Sequence, residues 1–186
     1  MALTYTPKGD LGSKAPPFSL LGTDGKTHSL AEFSDRLGLL VIFMCNHCPY
    51  VIAVQERINE LAKKYGPLGI GVIGINSNDP VKYPDDSMEE MKARAKEQGY
   101  VFPYVQDLTQ DVAKTYGAVC TPDPYLYENV GGRFLLASRG RIDDSWKDPS
   151  KVTQTDLANA MDAILEERPV EEESIPAMGC SIKWKD

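Results

Sequence analysis

Two closely spaced cysteines are the residues of this sequence best suited to chemistry. Cys45 and Cys48 are separated by two residues, and Pro49 follows them directly. Sulfurs at this spacing can close a disulfide after a small adjustment of the backbone. With four cysteines among 186 residues, the chain lacks the dense disulfide framework of small secreted domains. The pair therefore indicates redox catalysis or metal binding.

The flanking sequence predicts where this pair lies in the fold. The apolar run 39–44 is typical of a strand buried on both faces, and it ends at Cys45. A helical pattern begins near Cys48, with apolar residues spaced to share one face. The N–H groups and dipole at a helix start stabilise a thiolate, which lowers a thiol pKa from about 8.5 toward neutrality. We therefore expect Cys45, as the more exposed sulfur, to ionise and attack, and Cys48 to resolve the mixed disulfide.

His47 lies between the two cysteines and is expected to support them. When protonated, its ring places a second positive charge near the thiolate. We expect this charge to make the Cys45/Cys48 couple more oxidising than a couple with an apolar residue at that position. The other histidine, His28, belongs to a predicted strand and is expected to face solvent.

Composition and charge argue against several classes of partner. The formal net charge is −7, which disfavours nucleic acid and anionic membranes. No apolar run is long enough to span a membrane, and residues 1–11 contain no signal-peptide core. We therefore expect a cytoplasmic protein. A hydrophobic content of 42% in a chain of this length suits one domain with a full core.

The remaining patterns predict alternating strands and helices. A hairpin is expected at 18–29, before a short helix at 30–33 that Ser29 and Glu32 cap. The order of the elements predicts an α/β domain with a mixed sheet and helices on both faces. The further predicted elements are strands at 69–76, 101–105, 125–128 and 133–138, helices at 88–98 and 157–167, and a helix that Asp107 or Thr109 caps and that ends at Tyr116.

These features resemble the thioredoxin fold, and more closely the redoxin branch that includes peroxiredoxin-like and TlpA-like proteins. The resemblance covers residues 13–168 and rests on the CxxC motif at 45–48, on Thr121-Pro122 before a strand, and on the hairpin and last helix. The segments 43–51 and 139–144 are also similar to bacterial thioredoxin-family proteins described as peroxiredoxin-like. The resemblance implies a thioredoxin-like mixed central sheet flanked by helices, with an N-terminal hairpin extension and a C-terminal tail.

The resemblance also implies that Pro122 is cis and lies against the CxxC motif. A cis X-Pro bond lets Thr121 present its backbone N–H and C=O beside the sulfurs. An extended substrate chain could pair there as an added strand. A trans proline in a turn before the strand is the alternative, and Pro124 competes with Pro122 for the role.

A thiol-dependent peroxidase is the first alternative to a thiol–disulfide oxidoreductase. Peroxiredoxins carry Pro-x-x-x-Thr/Ser-x-x-Cys. With Cys48 as the peroxidatic thiol, Val41 and Cys45 would stand at the Pro and Thr/Ser positions, which removes parts of a peroxide pocket. Arg139 could still serve as the distal arginine of that family. Thioredoxin itself has a buried acid in the strand before its CxxC, whereas the segment 37–44 has none, so proton transfer must come from water, His47 or elsewhere.

Two further cysteines could take part in redox chemistry. Cys120 directly precedes Thr121, a place where most thioredoxin-like proteins have an apolar residue. Cys180 is eleven residues beyond Pro169, and an extended segment of that length reaches about 35 Å, enough to arrive at the active site. We expect Cys180 to exchange disulfides with Cys120 or Cys45; the alternative is an idle thiol.

The sequence predicts a domain at 1–168 followed by a tail at 169–186. The acidic run Glu171–Glu173 is typical of a solvated linker. Ile182 and Trp184 alternate with polar residues, as in an edge strand or a docking segment. We therefore expect the tail to dock on the domain.

Two functions from other classes stay open. A structural zinc site would use Cys45, Cys48, Cys120 and Cys180, although zinc proteins usually supply their ligands as two close pairs. A non-catalytic thioredoxin-fold binding module is the other. The favoured prediction is an enzyme without a bound organic cofactor or metal. Its partners would be protein or small-molecule disulfides and a dithiol electron donor.

Overall fold

A computed structural model describes residues 3–170 and 174–185, and the strands and helices alternate along most of this chain. The strands are β1 (Leu3–Tyr5), β2 (Ser19–Gly22), β3 (Thr27–Ser29), β4 (Gly38–Phe43), β5 (Ile70–Asn76), β6 (Tyr104–Gln106), β7 (Cys120–Thr121), β8 (Asp123–Val130), β9 (Arg133–Arg139) and β10 (Met178–Ser181). The helices are α1 (Pro49–Tyr65), α2 (Met88–Glu97), α3 (Asp111–Tyr116) and α4 (Asp156–Leu165), with 3-10 turns at Leu30–Phe33, Pro84–Asp86 and Pro149–Lys151.

The strands of these described residues form two sheets. The larger has the order β3-β2-β6-β5-β4-β8-β9, and the smaller has the order β1-β10-β7. In the larger sheet β4 and β6 run parallel to β5, while the other pairings are antiparallel. The mixed sheet predicted from the sequence is therefore present.

The centre of the larger sheet, β4 and β5, is buried along its whole length. Leu40 and Ile42 pack on one face of β4 in a cluster with residues of α1 and α4. Val41 and Phe43 pack on the other face in a cluster with residues of α3. Burying each such side chain contributes about 1.5–3 kcal/mol of hydrophobic free energy. Because both faces are packed, the position where β4 ends is fixed.

The starts of β6 and of α3 differ from the prediction for local reasons. The strand expected at 101–105 lies at Tyr104–Gln106. Pro103 has no N–H to donate to a ladder, and its carbonyl accepts from Gly74 as the pairing with β5 begins. The N-cap of α3 is Gln110, rather than the expected Asp107 or Thr109. Both expected residues still bond to the first turn. Asp107 accepts from the N–H groups of Val112 and Ala113, and Thr109 accepts from the N–H of Asp111.

The C-terminal segment is part of the smaller sheet. Its strand is Met178–Ser181, a few residues before the alternating Ile182 and Trp184. β10 lies between β1 and β7 rather than at an edge, because the first residues of the chain add β1 on its outer side. The acidic run Glu171–Glu173 lies outside the described residues. None of the helices in the described part of the chain has both the length and the hydropathy needed to span a membrane.

Candidate active site: the Cys45/Cys48 pair

The Cys45/Cys48 pair lies at the carboxyl end of the central strand. β4 ends at Phe43, and α1 begins at Pro49 with Cys48 as its N-cap. Proline suits the first helical position because its missing N–H has no partner to lose there. The neighbouring strand β8 starts with Asp123 opposite Phe43, which carries the preceding peptide to the same edge of the sheet.

The peptide Thr121–Pro122 is cis, as the resemblance implied, and Thr121 contacts both cysteines. The Cys45 Sγ lies 3.3 Å from the Thr121 hydroxyl oxygen. The Cys48 Sγ lies 3.2 Å from the Thr121 carbonyl oxygen, to which it donates a hydrogen bond when Cys48 is protonated. Pro124 belongs to β8, where it is opposite Ile42. The two predicted site elements, CxxC and Thr-Pro, are therefore in direct contact.

The pKa values of the two thiols are opposite to the order expected from the sequence. The hydrogen bond with Cys48, burial and the charge of Asp86 raise the pKa of Cys45 well above its ordinary value. The hydrogen bond from Cys45 lowers the pKa of Cys48 to about 5 against the effect of burial, and Cys180 and Thr121 add to the lowering. Cys48 is also the N-cap, so it lies nearest the positive end of the α1 dipole. These shifts favour Cys48 as the first of the two thiols to lose its proton, with Cys45 donating a hydrogen bond to it.

Both sulfurs are also more buried than expected. The exposed fraction is 2% for Cys45 and 0% for Cys48. Cys45 was expected to be the more exposed of the two sulfurs, and in this conformation neither is accessible to solvent to any useful extent. The junction between β4 and α1 lies beneath the smaller sheet. The pair is therefore covered by β10, which is distant in the sequence.

A buried carboxylate that the sequence analysis missed lies beside the pair. Asp86 is fully buried and accepts hydrogen bonds from the Asn46 N–H at 2.7 Å and from the His47 Nδ1 at 2.5 Å. The side-chain amides of Asn76 and Asn78 complete its shell at 3.1 and 2.8 Å. Burial favours the neutral acid, but the bonds from His47 and Asn78 outweigh it and hold the pKa of Asp86 below its ordinary value.

One signal in the sequence could have pointed to Asp86. The loop after β5 is unusually polar, and β5 runs parallel to β4. The carboxyl ends of neighbouring parallel strands meet at one edge of a sheet, so the loop after β5 must pass close to the CxxC motif. β4 has no acidic residue before the cysteines, and the buried carboxylate beside them comes from this loop.

The surroundings of His47 favour its protonated form. The hydrogen bond to Asp86 raises the pKa of His47 above its ordinary value, although burial opposes the shift. Its ring stacks on Tyr83 with centroids 5.2 Å apart. The Nε2 atom is buried without a hydrogen-bond partner among the described residues. His28, by contrast, lies in β3 and bonds to Asp24 and Glu32.

The group of described residues that could share a metal ion is Cys45, His47 and Asp86. One ligand atom of each lies within 4.8 Å of the others. Thiolate, imidazole and carboxylate suit zinc. An ion would compete with the bond that already joins His47 to Asp86. This group differs from the four cysteines that the sequence analysis considered as zinc ligands, since it contains only Cys45 of those four.

The other predicted residues divide into two kinds. Cys180 lies directly opposite Thr121 in the pairing of β10 with β7, and its thiol is hydrogen-bonded to Cys48. Cys120 is opposite Ser181 and is fully buried, and burial raises its pKa far above the ordinary value. Among the described residues, Cys180 is therefore hydrogen-bonded to the CxxC pair, whereas Cys120 has no such bond.

Arg139 is held by a partner other than the cysteines. Its guanidinium donates to both oxygens of the buried Asp123, at 3.1 and 2.7 Å, and to the Gly117 carbonyl at 2.9 Å. It also covers the Tyr125 ring at 4.3 Å from the centroid. These bonds direct Arg139 to the β8–β9 joint, which disfavours the role of distal arginine in a peroxide pocket.

Comparison with known sequences decides the family. The model of the AhpC/TSA family matches residues 11–144. This chain belongs to the AhpC/TSA family. It is 26% identical over 128 residues to the thiol-disulfide oxidoreductase ResA of Bacillus thuringiensis, with 69% of each chain covered. It is also 27% identical over 133 residues to the chloroplastic peroxiredoxin Q of Triticum aestivum, covering 70% of this chain and 56% of that protein. Redox chemistry of thiols is common to both relatives.

Solved structures confirm the thioredoxin-like fold of this AhpC/TSA protein. A conserved protein from Geobacillus kaustophilus superposes with a TM-score of 0.92 at 42% identity, covering 100% of this chain and 97% of that one. The thioredoxin domain of a thiol-disulfide oxidoreductase from Bacteroides vulgatus has a TM-score of 0.57 at 22% identity, covering 70% and 89%. The first likeness extends over the C-terminal segment, whereas the second covers only part of the chain.

Proposed function

We propose that this protein is a thiol–disulfide oxidoreductase that reduces disulfides through the Cys45/Cys48 dithiol. The observation that carries the proposal is the contact of both sulfurs with Thr121 of the cis peptide, at 3.3 and 3.2 Å. In this arrangement the pair has one readily lost proton and a backbone edge beside it. The relative named as a thiol-disulfide oxidoreductase supports the same class of reaction.

The first step moves one proton and one substrate sulfur. The Cys45 thiol is hydrogen-bonded to the Cys48 sulfur, so its proton can pass to the Cys48 thiolate along that bond. The resulting Cys45 thiolate attacks a sulfur of the substrate disulfide. The substrate S–S bond breaks, one half leaves as a thiolate, and the other half stays bound to Cys45.

The second step closes the pair. Cys48 gives up its proton and attacks the Cys45 sulfur of the mixed disulfide. The Cys45–substrate bond breaks as the Cys45–Cys48 bond forms, and the second half of the substrate leaves. Two electrons have passed from the dithiol to the substrate. The one proton of the pair ends on one substrate thiol, and solvent supplies the proton for the other. A dithiol donor then returns the pair to its reduced form.

The His47–Asp86 pair is our candidate for moving these protons. A carboxylate oxygen of Asp86 lies within 4.8 Å of the Cys45 sulfur, a gap that one water molecule spans. His47 shares the carboxylate, and its raised pKa makes it a donor and acceptor close to neutral pH. These residues supply, from the loop after β5, the proton path that β4 lacks.

Insulin reduction with dithiothreitol as donor tests the proposal. We expect Cys45→Ser and Cys48→Ser each to lower turnover at least a hundredfold, and Cys48→Ser to accumulate a mixed disulfide on Cys45. The matched control is Cys120→Ser, a buried cysteine on the same sheet edge, which should keep turnover within twofold. Wild-type turnover in Cys45→Ser would remove the proposal.

The same variants test the peroxidase alternative. Replacing insulin by hydrogen peroxide, with the same donor, should give turnover at least a hundredfold below that with insulin, because Arg139 is bound to Asp123. Peroxide turnover that depends on Cys48 and survives Cys45→Ser would favour a peroxiredoxin instead.

The ionisation of the pair is measured separately from turnover. Thiolate absorbance at 240 nm in the reduced protein should rise with a midpoint near pH 5, because the hydrogen bond from Cys45 stabilises the Cys48 thiolate. The rise should disappear in Cys48→Ser and move to higher pH in Cys45→Ser. A midpoint that is unchanged in Cys45→Ser would contradict the shared proton.

A further inference from the structure

The strand β10 occupies the place that a substrate strand would take. β10 pairs antiparallel with β7, with Cys180 opposite Thr121 and Ser181 opposite Cys120. Thr121 is the residue whose backbone the proposed function assigns to an extended substrate. The edge beside the cysteines is therefore already paired with a strand of the same chain, and that strand carries a cysteine at the central position.

The fit of β10 against the cis peptide depends on a glycine. A Cβ at Gly179 would lie 2.3 Å from the Thr121 carbonyl oxygen and 2.7 Å from its carbonyl carbon. Separations this short are far below van der Waals contact, and backbone atoms are not able to move aside as a flexible side chain would. Any other residue at this position would push β10 away from the peptide. Gly179 thus places the next residue, Cys180, against the site.

The segment after β10 is fastened on its other side. Ile182 N–H donates to the Val119 carbonyl at 2.9 Å, and Lys183 N–H donates to the Asn78 side chain at 2.8 Å. Asn78 also bonds to Asp86, so the anchor of the tail and the buried acid share one side chain. On the other edge of β10, Leu3 of β1 lies opposite Cys180.

Beside the cis peptide, no room for a substrate chain is left while β10 is bound. The cavity beside Pro122 has a volume of about 30 Å³, and Met178 of β10 forms part of its wall together with Tyr50 and Val54. A cavity of this size holds water but not a peptide. Cys180 itself is 2% exposed and is hydrogen-bonded to the Cys48 sulfur. The sulfur nearest to the pair from outside the CxxC motif is supplied by the protein's own tail.

We propose that Cys180 is a third redox-active cysteine, which takes over the disulfide of the CxxC pair by bonding to Cys48 while β10 occupies the substrate position. The proposal rests on the proposed function, since the Cys45–Cys48 disulfide is the product of substrate reduction. The partner is Cys48, rather than the Cys45 or Cys120 that the sequence suggested, because β10 brings Cys180 to the Cys48 side of Thr121.

The exchange needs no external oxidant. The Cys180 sulfur attacks the Cys48 sulfur of the Cys45–Cys48 disulfide. The Cys45–Cys48 bond breaks, the Cys48–Cys180 bond forms, and Cys45 leaves as a thiolate that takes the proton lost by Cys180. The number of disulfides and thiols is unchanged. The product has a reduced Cys45 and a tail tied covalently to the site.

Oxidation of the full chain followed by peptide mapping tests this step. Cys45 and Cys48 lie on one tryptic peptide, since Arg36 and Arg57 are the nearest cleavage sites. The Cys45→Ser variant therefore assigns any link to Cys48. After diamide treatment and alkylation, we expect this variant to contain a Cys48–Cys180 disulfide in most molecules. A variant that stays reduced, or that links Cys48 to Cys120, overturns the proposal.

Disulfide mapping of the wild-type protein is a second test, which does not depend on a substitution. Partial oxidation should produce the Cys45–Cys48 disulfide together with a cross-linked peptide containing Cys180, in at least a tenth of the molecules. The Cys180→Ser control should form only the first. If wild type reduces insulin and closes Cys45–Cys48 but never links Cys180, this proposal fails while the proposed function stands. If the link forms and insulin is not reduced, the proposed function fails.

The Gly179→Ala variant tests whether β10 shields Cys48 and holds Cys180 against it. Displacing the strand should lower the yield of the Cys48–Cys180 disulfide at least tenfold and speed iodoacetamide alkylation of Cys48 at least tenfold. Circular dichroism and thermal melting establish that the variant is folded. A folded Gly179→Ala protein with wild-type linkage and wild-type alkylation would overturn the assignment of β10 to the substrate position.

Discussion

Two fully buried carboxylates lie near the cysteine pair, and they differ in their partners. Asp86 is bonded to His47 and to amide groups. Asp123 is bonded to Arg139 through both carboxylate oxygens. An imidazole gains and loses a proton near neutral pH, whereas a guanidinium stays charged. The Asp86 pair can therefore follow the protonation of the thiols, while the Asp123 pair is a fixed charge pair that joins β8 to β9.

The largest expected effect is on stability at the fixed pair. Asp123→Asn leaves the buried Arg139 without a counter-charge, which should cost about 3 kcal/mol of unfolding free energy. The cost is at the low end for a broken buried pair because the Asn oxygen can still accept one bond. A melting temperature lower by about 6–12 °C is expected for a chain of this size. A change of less than 2 °C would show that the pair is not structural.

The next effect is on catalysis at the exchangeable pair. The Asp86 carboxylate accepts four hydrogen bonds. In Asp86→Asn the amide NH₂ would face two of these donors and could not accept from them, so about 1–3 kcal/mol of unfolding free energy should be lost. We expect insulin turnover to fall by about a hundredfold, the usual range for a lost general acid or base. Asp123→Asn, measured while folded, should lower turnover much less. Equal losses in the two variants would erase the distinction.

A smaller effect is expected in the titration of His47. The chain has two histidines, so proton NMR can follow each. The His47 midpoint should lie above 6.5 in wild type and in Asp123→Asn, and should fall in Asp86→Asn, because Asp86 raises this pKa. A raised histidine pKa adds stability that is complete below about pH 6.5 and is lost as the pH rises through the folded value. The Arg139 pair should show no such loss up to pH 9.

The smallest effect is expected at His28, whose side chain is largely covered but whose carboxylate partners are exposed. His28 bonds to Asp24 and Glu32, whose side chains are about half exposed. Exposed ion pairs contribute little because water and salt screen them. His28→Ala should therefore change the unfolding free energy by about 1 kcal/mol or less and leave insulin turnover within twofold. A loss as large as that of Asp86→Asn would mean that the burial of the partner carboxylates does not separate the two histidines.

Several features were predictable because they depend on neighbouring residues. The apolar run of β4, the N-terminal proline of α1 and the capping box of Ser29 and Glu32 are local signals, and the structure contains all three elements. The Thr121–Pro122 contact with the cysteines was available only through the resemblance, since 73 residues separate Thr121 from Cys48. The expected ionisation of Cys45 considered only the helix end, whereas the hydrogen bond with Cys48, burial and the charge of Asp86 all raise the pKa of Cys45 in the structure.

The sequence by itself determined that a cysteine pair lies where a buried strand meets a helix, since hydrophobic pattern, spacing and proline position are written in one short segment. Only the tertiary structure decided how deeply the two thiols are buried, which acid lies beside them and which further cysteine reaches them. Asp86 and Cys180 come to the pair from distant parts of the chain, through a parallel strand pairing and through the close approach that Gly179 permits. Burial and charge at a site depend on what is packed around it, and that environment is assembled only when the chain folds.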